Sequence, residues 1–198
     1  MGDMVSIGQM AQSAWQGVRY LKGLVNSELH VLDVSGFVAP ATAGDTIALS
    51  ALAQGDQISE RTGNSVLAKR LYIRIKIDKH ATPTSSTLRY AVVRDSQQVG
   101  DTNPSYEQVF SPGGGVLSAL NSANLGRFTL LSEGLVVVDT DNPTKVLVLN
   151  VPMSSHIRFN GSAYTDIQKN GLYLVVCSTE ATNTPTFTYR SRLMFHDN

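Results

Sequence analysis

An all-β fold, two antiparallel sheets packed face to face behind a single helix, is what this sequence predicts. Three observations carry the prediction. Apolar residues alternate with polar ones in segment after segment, most clearly where Leu71, Ile73, Ile75 and Ile77 interleave with Tyr72, Arg74 and Lys76, the period of a half-buried strand. Charged residues are only 16% of the 198, and Gly, Ser, Thr and Asn punctuate Val-rich runs, as a chain of many strands and turns requires. A helical period occurs only near the N-terminus.

There Ile7, Ala11, Ala14, Val18, Leu21 and Val25 recur at threes and fours, with Met10 and Trp15 beside them. An amphipathic helix packed on the body or on a neighbouring subunit is expected. Its polar side carries only two cations, Arg19 and Lys22, which makes a membrane-surface helix the minority reading. Asn26-Ser27-Glu28 ends it, dividing the chain into a helical arm, 1–28, and a β domain, 29–198.

Strands are expected at 29–38, 66–78, 87–95, 125–138, 145–151, 155–159, 171–178 and 186–196. A small-residue connection runs from Pro40 to Gly55, and Gln54 to Ser65 is a polar turn region. Tyr106 to Phe110 suits a helical turn. Pro112-Gly113-Gly114-Gly115 is a loop, without the Lys-Ser/Thr of a phosphate loop. Pro152 separates two strands, and Asn170-Gly171 marks a turn. In the last strand Phe187, Tyr189, Leu193 and Phe195 face one way, and Arg190, Arg192, Met194 and His196 the other. Eight strands with long connections and no internal repeat suit a jelly roll, two packed four-stranded antiparallel sheets. The count also permits an immunoglobulin-like sandwich, although the Cys…Trp…Cys spacing is absent.

The chemistry of most enzymes is missing. Cys177, the only cysteine, allows neither an intrachain disulfide nor a Cys-based metal site, and it reads as a buried strand thiol. His30, His80, His156 and His196 lie at no metal-ligand spacing, and neither His-Glu-x-x-His nor Gly-x-Ser-x-Gly occurs. No enzyme is expected. Neither a secretory signal nor a membrane-spanning run is found, so a soluble protein is expected. Sixteen basic residues balance sixteen acidic ones, giving no whole-chain signature of nucleic-acid binding.

Five segments together carry a family resemblance. They are Leu21-Lys22 through Asn26 to Glu28; Gln54-Gly55-Asp56 with Arg61-Thr62-Gly63 before a long strand; Arg94-Asp95-Ser96-Gln97 with Pro104 beyond; Arg127-Phe128-Thr129-Leu130-Leu131; and Ser191-Arg192-Leu193-Met194-Phe195-His196-Asp197. In this order they resemble the coat proteins of satellite tobacco necrosis virus and of the small circular single-stranded DNA viruses. Val99 and Ser132-Glu133 depart from that pattern, and residues 1–28 lack the Arg/Lys-rich arm usual in such coats.

The resemblance implies an eight-stranded jelly-roll capsid domain, self-assembly into an icosahedral shell of roughly sixty copies, and a single-stranded DNA or RNA genome inside. The protein would reside in the virion and be assembled in the host cell. The sheet containing the first, third and last strands would tend to face the interior. With 87–95 as the third strand, Arg89, Arg190 and Arg192 should cluster outside the barrel and, with Arg19 and Lys22, touch phosphates or carboxylates of neighbouring subunits. Lys69, Arg70, Arg74, Lys76 and Lys79 should lie on the opposite sheet. By the same resemblance Asp56, Glu28 and Asp197 are candidates to hold calcium between subunits. The rival reading is a non-viral jelly-roll binding module, carbohydrate-binding or a cytokine-like trimer, which would expose aromatics on a sheet face.

Overall fold

The computed structural model describes residues 7–24 and 28–197, without the side chains of residues 7, 9 and 19–24. Helix α1 (Ile7–Leu24) precedes the body. The described strands are β1 (Leu29–Val38), β2 (Asp45–Ala48), β3 (Ser65–Asp78), β4 (Ser85–Asp95), β5 (Phe128–Asp139), β6 (Thr144–Phe159), β7 (Ile167–Lys169), β8 (Gly171–Ser178) and β9 (Thr186–Asp197). A one-turn helix, α2 (Tyr106–Val109), lies between β4 and β5. All strand pairs are antiparallel, in two sheets ordered β1-β9-β3-β6-β7 and β2-β8-β4-β5. This is a jelly roll, each sheet drawing neighbours from distant parts of the chain.

The alternation does what the pattern requires. Leu71, Ile73, Ile75 and Ile77 of β3 point inward with Phe187, Leu193 and Phe195 of β9. Leu88 and Val92 of β4 and Leu174 and Val176 of β8 meet them from the other sheet. Each such side chain contributes about 2 kcal/mol on burial. A register shift between Ala68 and Arg70 turns two consecutive residues, Lys69 and Arg70, outward, while Val66 and Ala68 before it and Leu71 after it stay buried. Two glycines make room for rings. Gly36 pairs with Tyr189 and Gly134 with Tyr90, and an added Cβ would lie 2.8 Å and 2.5 Å from the respective hydroxyls.

Three differences from the expected strands matter. β2 was hidden in the small-residue connection, because four residues at a sheet edge are too few to show a period. Pro152 does not break β6: it sits opposite Arg70, where the ladder is already irregular, and β7 joins only at Arg158 and Phe159. With β2 added, 85–95 becomes the fourth strand and 65–78 the third. The expected neighbours change accordingly: β9 pairs with β1 and β3, not with the strand carrying Arg89.

The two sheets differ in cover. Residues 96–127 fold over the outer face of β2-β8-β4-β5 and build a second core there. Tyr106, Val109 and Phe110 pack with Phe128 on Ala91, Val93, Tyr173, Val175 and Cys177. β8 is therefore buried on both faces along its whole length. Burial pushes the Cys177 thiol up. A thiol reagent is expected to leave Cys177 unmodified in the native protein and to modify it fully in denaturant; rapid native modification would contradict the second core.

The side chains described on α1 are exposed, including Met10, Trp15 and Val18. Among the described residues no helix is long and apolar enough to cross a membrane.

Candidate nucleic-acid and assembly interface

The outer face of β1-β9-β3-β6 is bare of cover by the described residues. Its register gives successive rows, read from β1 to β6: Val31–Met194–Arg70–Pro152, Asp33–Arg192–Tyr72–Asn150, Ser35–Arg190–Arg74–Val148 and Phe37–Thr188–Lys76–Val146. Within these rows five cations stand on the adjacent strands β3 and β9. Among the described residues only two carboxylates answer them. Asp33 takes Arg192 in a two-pronged pair, accepting from Nε at 2.7 Å and Nη2 at 2.6 Å, and this holds the Asp33 carboxyl below its usual range. Asp78 pairs with Lys76 at 2.8 Å and is lowered in the same way.

Arg70, Arg74 and Arg190 have no carboxylate among the described residues. Arg74 Nε donates to the Tyr72 hydroxyl at 3.3 Å, its guanidinium 5.4 Å from the ring centroid. A depression of about 330 Å³ is lined by Asp33, Ser35, Tyr72, Arg74, Arg190 and Arg192. A second, of about 200 Å³, continues past Arg74 and Arg190 to Lys76 and Val146. Large apolar side chains flank the track: Phe37 is 74% exposed, Val146 67% and Val148 57%.

The expected cluster of Arg89 with Arg190 and Arg192 is not formed. Arg89 does point away from the main core, but that face of β4 lies under residues 96–127. It is buried, donating to the Ser118 carbonyl and to Glu133, with its guanidinium 3.6 Å from the Phe110 ring centroid. Arg89 holds the covering segment down and cannot reach a partner. Arg74, expected on the opposite sheet, takes its place beside Arg190. Once the strand order is right this neighbour is legible, since both residues sit at outward positions. The side chains of Arg19 and Lys22 lie outside the described residues.

The three calcium candidates do not converge in one chain. Glu28 is exposed, with His30 Nε2 at 3.9 Å, and Asp56 is exposed on its turn. Asp197 is committed locally: its Oδ2 accepts from the backbone N–H and the hydroxyl of Thr62, both at 2.7 Å, while its Oδ1 is buried without a partner. Among the described residues no group of three His, Cys, Asp or Glu side chains could hold a metal ion.

Sequence reasoning missed Arg61 as a working residue. It is wholly buried and, among the described residues, makes no ion pair, donating to the carbonyls of Leu52 (3.2 Å) and Gly63 (2.7 Å), to Asn64 Oδ1 (3.4 Å) and to the Gly161 carbonyl. Phe159 lies beneath it, 4.1 Å from guanidinium carbon to ring centroid. Burial lowers its pKa, against the attraction of Asp166 and Asp197.

Solved structures of virus particles are similar to this chain at a low level. A full particle of Israeli acute paralysis virus is 13% identical, covering 87% of this chain and 68% of its own, with a TM-score of 0.40. The native virion of Kashmir bee virus at acidic pH is 14% identical, covering 100% of this chain and 74% of its own, also at 0.40. Likeness at this level says nothing of function. No curated protein matches. The model of the satellite tobacco necrosis virus coat protein, however, matches residues 13–198, from within α1 to the last residue. It supports the satellite-virus half of the resemblance drawn from the five segments, and not the circular-DNA half. A jelly roll with one bare cationic face and that match along nearly its whole length leads to one conclusion: this chain belongs to the satellite tobacco necrosis virus coat protein family.

Proposed function

We propose that the protein builds a small icosahedral shell of roughly sixty copies around a single-stranded nucleic acid, each copy meeting unlike patches of its neighbours in contacts that close. The match of the coat-protein family over residues 13–198 carries this reading. The surface is consistent with it. Large apolar side chains remain exposed at widely separated places, including Met10 and Trp15 on α1, Val146 and Val148 on β6, and Leu117 and Leu125 in the covering segment. Burying them takes several partners at once, as in a shell. A calcium ion shared between copies would draw on Asp56, Glu28 and Asp197 from different subunits, since one chain does not bring them together. Assembly would take place in the host cell and the product would be the virion.

Sedimentation velocity at neutral pH, with absorbance followed at 260 and 280 nm, tests the proposal. A uniform fast particle with a nucleic-acid-rich ratio is expected, slowing or dissociating in EDTA if calcium joins the copies. A monomer or trimer that persists across salt and calcium concentrations would overturn the shell and favour the non-viral binding module.

A further inference from the structure

Arg74 and Arg190 are direct register partners across the β3–β9 ladder. Both are exposed, and like charges directly opposite on a sheet are destabilising. The rest of their row offers no relief, since it is completed by Ser35 and Val148. The neighbouring rows are treated differently: Arg192 has Asp33 and Lys76 has Asp78. Carboxylates are thus supplied on either side of the central pair and withheld from it. The pair also stands where the two depressions meet, because Arg74 and Arg190 line both.

We propose that Arg74 and Arg190 together seat one phosphodiester of a single-stranded nucleic acid running along β3 and β9, with Tyr72 as the surface on which an adjacent base rests. The proposal rests on the capsid reading and names the residues through which the shell would grip its contents. A phosphodiester carries one negative charge and two non-bridging oxygens. It can accept from both guanidinium groups at once, replacing a repulsion by two charge-assisted hydrogen bonds. Outward positions along a strand recur every ~6.6 Å, comparable with consecutive phosphates in an extended strand. Each row from Arg70 to Lys76 holds at least one cation, so the track continues on both sides of the seat. A single carboxylate from another copy would satisfy the pair but would leave that continuation unused. The contacts are to the backbone and to the face of a base, and so are indifferent to sequence.

The test uses the full chain, dissociated to subunits, and a fluorescein-labelled oligothymidylate, with binding followed by anisotropy across a salt series. The double variant Arg74→Gln/Arg190→Gln is expected to bind about tenfold more weakly at low salt, with the slope of log affinity against log salt falling by about 0.7 for the one lost phosphate. Tyr72→Ala should weaken binding about fivefold with the slope unchanged. Arg158→Gln/Lys169→Gln, removing the same charge from an exposed pair elsewhere on the same sheet, should change little. Equal losses in the two double variants, or no loss in the first, would overturn the seat. So would an Arg74→Gln/Arg190→Gln protein that fails to assemble yet binds the oligonucleotide normally, since that result assigns the groove to another copy's carboxylate. The two readings fail separately. Shells that form normally with oligonucleotide affinity insensitive to Arg74 and Arg190 sink the seat alone, whereas unassembled wild-type subunits whose binding depends on the pair sink the shell alone.

Discussion

Arg61→Ala is expected to be among the most damaging single substitutions in the chain, lowering subunit stability by about 4 kcal/mol. The cost has two sources. Truncation strands the buried carbonyl of Leu52 and the part-buried carbonyls of Gly63 and Gly161, and it opens a cavity over Phe159. A loss of that size corresponds to roughly 8–16 °C in Tm for a domain this large. Thermal unfolding of dissociated subunits would measure it, so that assembly does not mask the effect. Arg61→Lys keeps the charge but not the planar fork and should recover less than half of the loss. An Arg61→Ala subunit melting with the wild type would refute the role assigned to this side chain.

Asp95→Ala is the second. Asp95 ends β4, Arg127 immediately precedes β5, and the covering segment runs between them. The fully buried carboxylate accepts from Arg127 Nε at 2.9 Å and Nη2 at 2.7 Å, and from the Gln97 N–H at 3.0 Å. Together with the Ser96 N–H donating to the Arg127 carbonyl at 2.8 Å, this closes the base of the segment. Removing one partner of a buried pair costs about 3–5 kcal/mol, because the other charge is left without compensation. The expected signature is local as well as global. Protease should cut within 96–127, and Cys177, which lies under that segment, should become reactive while the main core remains intact. Replacing both partners, Asp95→Ala with Arg127→Met, should restore part of the stability by removing the stranded guanidinium. Cys177 remaining inert in Asp95→Ala would show that the segment is held by its apolar contacts alone.

Much of the body was legible because strand periods are local. β1 and β8 begin and end where the pattern places them, and the inward and outward sets of β9 are those read from its alternation. What failed was pairing, which is not local. One short edge strand, β2, shifted the strand numbering, and that shift alone separated Arg190 from Arg74 and joined it to Arg89. The family-like segments were legible as words but not as contacts. Asp95 and Arg127, from two of them, bind each other; Thr62 and Asp197, from two others, do the same. Their side chains thus hold connections in place rather than presenting a surface. The cations of the bare face belong mostly to no such segment, and only the register reveals which of them lack a carboxylate.

The order of strands within the sheets has a consequence for synthesis. β9 sits between β1 and β3 in one sheet and β8 between β2 and β4 in the other, and both lie within residues 171–197. Until these emerge from the ribosome, β1 has no neighbour in its sheet, β2 none in its own, and residues 96–127 have no complete surface to lie on. An unfinished chain therefore presents strand edges but no closed body. Contacts of such long sequence separation form late and together. Folding of both sheets is held back until β8 and β9 have been made, and no chain stopped short of them could carry a finished cationic face into a growing particle: quality control is written into the topology.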